Sequence, residues 1–186
     1  MATVLWARHG ENVANLTQTF SHRVFDGDLT PAGRRQARAL AARLARRDRD
    51  PVGQLVCSPL RRARQTAEII SRLLGLPIAA ERDDLRELNV GDLDGRSDDQ
   101  SWRVYHGVLA AWRDGELDAR FPGGESCLEL HRRVAGAIAA VAGPGGGAVT
   151  VIVAHGGALR MCLPLLRQML ARLGLAITDL WQPLAS

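Results

Sequence analysis

The sequence predicts an α/β domain in which a mostly parallel sheet lies between layers of helices. Short apolar runs typical of buried strands alternate with segments that carry apolar residues at helical spacing. Segments containing histidine and arginine follow the ends of these runs, where open parallel sheets bind their ligands. At 186 residues the chain fits a single domain with a sizeable core.

Five apolar segments are candidate strands. The predicted strands are Thr3–Ala7, Gln54–Cys57, Pro77–Ala80 and Ala148–Ala154, of which the last is nearly all apolar and typical of a buried strand. Ala176–Leu180 can supply at most one further short strand. We therefore expect a small sheet, or one whose edge is covered by a second subunit, which leaves a homodimer open.

Five helices are predicted from capping residues and apolar spacing. Thr30 followed by Pro31 is typical of an N-cap and a first helical position, and this helix is expected to stop before Asp50. Ser58 followed by Pro59 predicts a second helix start in the same way. The other predicted helices are Asp98–Trp112, Glu125 to about Val141, and a segment after His155 that Pro164 interrupts. The predicted loops and turns are Asn12–Leu29, Glu81–Arg96 and Gly143–Gly147.

Chemically reactive residues follow the predicted strands. Arg8-His9-Gly10 follows the first strand, Ser58–Arg62 the second, and His155-Gly156-Gly157 the last, while Glu87 lies in the loop after the third. Because the carboxyl ends of parallel strands meet at one edge of a sheet, we expect these segments to converge. Gly10 is interpreted as a position at which a ligand approaches the backbone.

Two histidines, several arginines and one carboxylate suit the transfer of a phosphoryl group to the protein. A neutral imidazole can attack phosphorus and carry the group covalently. Arginines and helix N-termini bind the phosphate oxygens, and a carboxyl group can protonate the leaving oxygen. Since the arginines supply positive charge and the histidines lack a metal-ligand spacing, we expect neither a metal nor a cofactor.

Five motifs, taken in order, resemble those of the histidine phosphatase superfamily, the phosphoglycerate mutase-like enzymes. These motifs are Arg8-His9-Gly10-Glu11 with Asn15, Ser58–Ala67, Leu85–Gly91, Pro122–Ser126 and Ala154–Gly157. They span about residues 3 to 163, and Pro122–Ser126 resembles the motif of the phosphatase members. The resemblance implies a three-layer phosphoglycerate mutase-like sandwich, and the short C-terminal segment leaves open that its last edge strands are missing.

The resemblance also implies a role for each matched residue. His9 is the nucleophile that becomes phosphohistidine, and Glu87 protonates the departing alcohol and then activates water. The implied phosphate-binding groups are Arg8, Asn15, Arg62, His155 and the backbone of Gly156. Arg62 is preferred to Arg61 because the family's arginine directly precedes an alanine. We interpret Arg61 and Arg64 as solvated, and His22, His106 and His131 as polar surface or lid residues.

A phosphatase acting on a small phosphorylated metabolite is the favoured function. A cofactor-dependent phosphoglycerate mutase-type phosphotransferase is the first alternative, and a non-catalytic phospho-ligand-binding relative is the second. The chain is interpreted as one domain, 1–186, with a small helical lid at about 97–123. Trp102, Tyr105 and Trp112 fit either the core or this lid, which would decide the substrate.

Composition narrows the classes of partner. The formal charge is +4 and the chain contains no lysine, so arginine supplies every basic side chain apart from histidine. The arginines of residues 34–49 alternate with alanine and leucine and lack stacking aromatics, which favours a solvated helix face over a nucleic-acid groove. We expect no membrane span, reduced cysteines and a cytoplasmic location.

Overall fold

The computed structural model describes residues 2–48, 50–142, 149–162, 166 and 175–179. Its strands are β1 Ala2–Arg8, β2 Val52–Cys57, β3 Ile78–Glu81, β4 Val149–Ala154 and β5 Leu175–Asp179. They form one sheet in the order β3-β2-β4-β1-β5, and every pairing is parallel. All six residues of β4 are buried, as expected for a central strand. The predicted α/β class is therefore confirmed.

One short helix and four helices of 14 or 15 residues lie between these strands. The helices are α1 Val13–Leu16, α2 Pro31–Ala45, α3 Arg61–Leu74, α4 Asp99–Arg113 and α5 Cys127–Val141, with 3₁₀ turns at Asp83–Leu85 and Gly91–Leu93. Residues 156–162 are also helical. Thr30 caps α2 by accepting from the Gly33 amide, and Asp98 caps α4 by accepting from the Ser101 amide, because N-cap oxygens satisfy amides that lack an intrahelical partner.

The sheet separates two apolar layers. Alternate residues of β1 point to opposite faces, so Val4 and Trp6 join one cluster while Leu5 and Ala7 join the other. The first layer contains α5 side chains together with Ala158 and Cys162 of the helical residues 156–162. The second contains buried residues of α2 and α3, such as Ala41, Leu44, Ala67 and Ile70. This arrangement is the predicted three-layer sandwich.

Two local predictions are wrong. Ser58 does not cap the second helix: α3 begins at Arg61 after Leu60, which offers no side-chain cap. The predicted loop Asn12–Leu29 contains α1, which is stabilised by a capping box between Asn12 and Asn15.

The remaining predictions concern β5 and segments that lie partly or wholly outside the described residues. β5 supplies the one short strand expected from Ala176–Leu180, although Leu180 itself lies outside the described residues. The predicted turn Gly143–Gly147 and the interruption at Pro164 also lie outside them. No helix among the described residues is long and apolar enough to cross a bilayer.

Candidate active site

Strand register brings the two motif histidines together. Arg8 of β1 pairs with Ala154 of β4, so His9 and His155 are the next residues on adjacent parallel strands. The His9 amide continues the ladder by donating to the Ala154 carbonyl at 3.0 Å. The centroids of the two imidazole rings lie 5.2 Å apart. The sheet edge therefore places both rings in one buried site, as the sequence predicts.

His9 is held in one tautomer. Its Nδ1 lies 2.7 Å from the Gly10 carbonyl oxygen, which can only accept, so Nδ1 carries the proton. Its Nε2 then presents a lone pair, which accepts a hydrogen bond from Arg62 Nε at 3.0 Å. Burial lowers the pKa of His9 well below its usual value of 6.5, and the positive charges of Arg62 and Arg8 lower it further. The ring is therefore a neutral imidazole with Nε2 free to act as a nucleophile once Arg62 turns to a ligand.

Arg62 is buried beside His9 near the start of α3. Its Nη1 donates to Ser21 Oγ and its Nη2 to the Ser21 carbonyl oxygen, both at 2.8 Å. Burial lowers the pKa of Arg62, while the negative charges of Glu87 and Asp26 raise it. The neighbouring Arg61 points outward instead and pairs with Asp28 at 2.7 Å. The structure thus places Arg62 in the site and Arg61 at the surface.

His155 is oriented by a serine that sequence reasoning assigned to a helix cap. Ser58 Oγ accepts from the Leu60 amide at 3.3 Å and lies 2.8 Å from His155 Nε2. A hydroxyl can both donate and accept, so this hydrogen bond orients the His155 ring without fixing which ring nitrogen carries the proton. The Nδ1 of His155 is buried and has no hydrogen-bond partner in the described part of the chain. Burial lowers the pKa of His155 well below its usual value, and Arg62 lowers it further.

The Glu87 carboxylate lies on the start of the helical residues 156–162. Oε1 accepts from the Leu88 and Ala158 amides at 2.9 and 2.7 Å, and Oε2 accepts from the Gly157 amide at 3.3 Å. A carboxylate is stabilised there by unpaired amides and by the positive end of the helix dipole. A Cβ at Gly157 would lie only 2.7 Å from Glu87 Oε1, so the second glycine of the His-Gly-Gly motif makes room for this carboxylate.

Gly10 packs closely against α2. A Cβ at this position would lie 2.3 Å from the Gly33 carbonyl oxygen on α2. The glycine is needed because the loop after β1 packs against this helix, and the approach of a ligand to its backbone stays a prediction.

The remaining predicted site residues line the same cavity of about 480 Å³. Arg8 and Gly156 border it together with His9, Arg62 and Glu87. The Arg8 guanidinium forms no hydrogen bond or ion pair with the described residues, and burial lowers its pKa. Asn15 also lines the cavity, but its Oδ1 is engaged by the Asn12 amide in the capping box of α1. Of the Asn15 amide group, only Nδ2 remains for a ligand.

Aromatic side chains from α4 and the first loop form another wall of the cavity. The ring centroids of Phe20 and Trp102 lie 4.4 Å apart, and those of Trp102 and Tyr105 lie 5.4 Å apart. Burial raises the pKa of Tyr105 to about 12. Trp112 is buried instead and donates Nε1 to the Ala119 carbonyl oxygen at 2.6 Å. The sequence left open whether these three aromatic residues belong to the core or to the lid. Trp102 and Tyr105 line the cavity, and Trp112 belongs to the core.

Sequence reasoning missed three polar residues of the site. His22, interpreted as a surface or lid residue, is buried, and its Nδ1 lies 2.8 Å from the Glu87 carbonyl oxygen. Asn12 lines the cavity, and its buried Nδ2 lacks a partner among the described residues. Ser58 orients His155. Ser58 directly follows β2, which pairs with β4, so its position at the sheet edge was the available signal.

Comparison with known proteins agrees with this geometry. A family model described as histidine phosphatase superfamily, branch 1, matches residues 4–178. The chain belongs to the histidine phosphatase superfamily. The family is the one that the motif order resembles, and its model covers every residue of the site.

Individual members of the superfamily differ in activity. The chain is 32% identical over 161 residues to phosphoglycerate mutase-like protein 4 of Arabidopsis thaliana, a match that covers 86% of this chain and 68% of that protein. It is 32% identical over 158 residues to a metal-independent phosphoserine phosphatase of the same plant, covering 84% of this chain and 65% of that protein. A mycobacterial glucosyl-3-phosphoglycerate phosphatase, solved in complex with VO3, superposes with a TM-score of 0.72 at 29% identity and covers 86% of this chain and 79% of that one.

Proposed function

We propose that this chain hydrolyses phosphomonoesters through a phosphohistidine formed at His9 Nε2. The observation that carries the proposal is the buried, neutral imidazole of His9, whose lone pair is directed at the Arg62 guanidinium. A neutral imidazole attacks phosphorus, and an adjacent guanidinium stabilises the charge on the phosphoryl oxygens as the bond forms. Similarity to two phosphatases supports the same chemistry.

In the first step, Nε2 of His9 forms a bond to phosphorus and the bond from phosphorus to the ester oxygen breaks. Glu87, which starts this step as a protonated carboxyl group, gives its proton to that oxygen, which leaves as an alcohol. In the second step, water attacks the phosphohistidine, the bond from Nε2 to phosphorus breaks, and Glu87 takes the proton from the water. The release of inorganic phosphate returns both residues to their starting states.

The phosphate-binding groups in this proposal are Arg8, Asn15 Nδ2, Arg62, His155 Nδ1–H and the Gly156 amide. Arg8 and Arg62 are positively charged and border the cavity on which His9 opens. With Ser58 donating to Nε2, the ring proton of His155 lies on Nδ1, which is buried and has no partner among the described residues, so a phosphate oxygen would satisfy it. Two arginines are sufficient to neutralise a bound phosphate dianion, so turnover without a metal is part of the proposal.

In this proposal, the alcohol part of the substrate lies against the aromatic wall formed by α4. Residues 97–123 act as a small lid on a single domain, because α4 contributes Trp102, Tyr105 and His106 to the cavity. A cavity of about 480 Å³ suits a small phosphorylated metabolite better than a macromolecule.

The test is phosphate release from p-nitrophenyl phosphate with EDTA present and without added bisphosphoglycerate. Wild-type protein is expected to turn over and to be inhibited by vanadate, and His9→Ala is expected to lose turnover. His131→Ala is the matched control, because this histidine lies on α5 and does not line the cavity.

Full activity in the His9→Ala variant would refute the nucleophile. Isomerisation of 3-phosphoglycerate that requires bisphosphoglycerate, without phosphate release, would favour a mutase instead. Vanadate or phosphate binding without turnover of any ester would favour a binding protein.

A further inference from the structure

Arg133 of α5 uses every N–H of its side chain on one short segment of chain and one carboxylate. Nη1 donates to the carbonyl oxygens of Asp84 and Arg86 at 3.0 and 2.9 Å, and Nη2 donates to that of Glu87 at 3.1 Å. The remaining donors, Nε and Nη2, reach Glu125 Oε2 and Oε1 at 3.0 and 2.6 Å. A guanidinium has five N–H groups, so every donor of the Arg133 side chain has an acceptor.

Glu125, the carboxylate that pairs with Arg133, also binds the backbone of the same segment at Asn89. It is a buried carboxylate whose Oε1 also accepts from the Asn89 amide at 2.7 Å. The Glu125 amide in turn donates to the Asn89 carbonyl oxygen at 3.0 Å. A bidentate arginine–carboxylate pair has a fixed planar geometry, so it constrains position as well as charge.

The segment held in this way is residues 84–89, which carries Glu87. Apart from the end of one 3₁₀ turn, this segment is irregular and belongs to no strand, so the sheet does not fix its backbone. The Glu87 carbonyl oxygen is bound by both Arg133 and His22, while its carboxylate rests on the Gly157 and Ala158 amides. The backbone and the side chain of Glu87 are therefore fixed from opposite directions.

We propose that Arg133 and Glu125 are positioning residues, which hold segment 84–89 so that the Glu87 carboxyl group meets the leaving oxygen of the substrate. The proposal rests on the proposed function, since it assigns proton transfer to Glu87. It also gives the Pro122–Ser126 motif a role beyond starting α5. Ser126 caps the helix, and Glu125 orients Arg133. Neither residue touches the substrate cavity.

The discriminating measurement is kcat/KM on two esters with different leaving groups. Glycerol phosphate has a poor leaving group that needs a proton, whereas p-nitrophenolate leaves readily without one. Arg133→Lys keeps the positive charge but loses the planar guanidinium with its five donors. Glu125→Gln keeps the shape of the side chain but loses the ion pair with Arg133. Arg132→Lys is the matched control, because Arg132 is the exposed neighbour on the same helix.

We expect Arg133→Lys to lower kcat/KM for glycerol phosphate by about 10- to 100-fold and for p-nitrophenyl phosphate by less than about threefold. Glu125→Gln is expected to show the same selectivity to a smaller degree, and it decides the question if Arg133→Lys does not fold. Inhibition by inorganic phosphate should not change. Equal losses on both esters, or no loss on either, would overturn the proposal.

Hydrogen exchange separates this proposal from the proposed function. Displacement of Glu87 would expose the Gly157 and Ala158 amides, so Arg133→Lys should accelerate their exchange. The Ser58 amide, which donates to the Val153 carbonyl oxygen at 3.0 Å, should exchange as in wild type. If wild-type protein hydrolyses no phosphomonoester, the proposed function fails, and unchanged exchange at Gly157 and Ala158 would independently reject the positioning role.

Discussion

Replacement of Gly157 by alanine changes the position of Glu87 without touching its chemistry. The new Cβ would lie 2.7 Å from Glu87 Oε1 and 3.2 Å from Oε2. Gly157 lies within the helical residues 156–162, where alanine is favoured over glycine by up to about 1 kcal/mol. The substitution should therefore leave the helix intact and act only by pushing the carboxylate away.

The size of the effect follows from this overlap. Ordinary contact with a Cβ begins near 3.4 Å, so Oε1 must retreat by about 0.7 Å. A misplacement of about 1 Å can reduce catalysis about 100-fold, and general acid catalysis is itself worth about 10²- to 10⁴-fold. We expect Gly157→Ala to lower kcat/KM for glycerol phosphate by about 10- to 100-fold.

The assay is a double-mutant cycle with Glu87→Ala. Once the carboxylate is removed, the alanine at residue 157 has nothing to displace, so the double variant should be no slower than Glu87→Ala alone. Gly136→Ala is the control, because a Cβ at this position of α5 meets nothing within 4 Å. Additive losses in the double variant would show that the substitution acts elsewhere, and wild-type activity of Gly157→Ala would refute the assigned position of Glu87.

Two further predictions concern the buried cations and histidines. Arg62→Lys loses the separate donors to His9 and Ser21, so kcat/KM for p-nitrophenyl phosphate should fall by about 100-fold or more, while Arg64→Lys, half-exposed on the same helix, should retain wild-type activity. Because folding lowers the pKa of His9 and His155, the unfolded chain binds more protons, and stability should be complete above pH 6.5 and be lost as the pH falls below it. Each histidine contributes up to about 1.4 kcal/mol per pH unit over that interval. Urea unfolding at pH 7 and pH 5 measures this loss, and equal stability at both would contradict the neutral, buried state of the two rings.

Much of the fold could be predicted because local signals agreed with the tertiary structure. The apolar run of β4 is buried on both faces, and Thr30 and Pro31 begin α2 as their residue types indicate. The convergence of His9 and His155 also follows from sequence, because residues after adjacent parallel strands share one edge. These predictions depend on periodicity and capping, which short windows of sequence contain.

The errors and omissions concern residues whose partners are distant in the chain. Ser58 has the sequence context of an N-cap, but its hydroxyl bonds to His155, which lies 97 residues away. His22 has no motif around it, and its burial arises from contacts with the segment around Glu87 and Asp94. The need for glycine at position 10 comes from Gly33 on another element. No local pattern contains the contacts of His22 or Gly10, and for Ser58 the only signal was its position at the sheet edge after β2.

The most direct test of the mechanism is detection of the phosphorylated intermediate. Protein mixed with p-nitrophenyl phosphate, quenched in base within the first turnover and digested, should yield a phosphorylated peptide containing His9. The phosphoryl group should be stable in base, lost in acid, and missing from the His9→Ala variant. Turnover without such a peptide, or phosphate attached to His155 or to a serine, would contradict the mechanism.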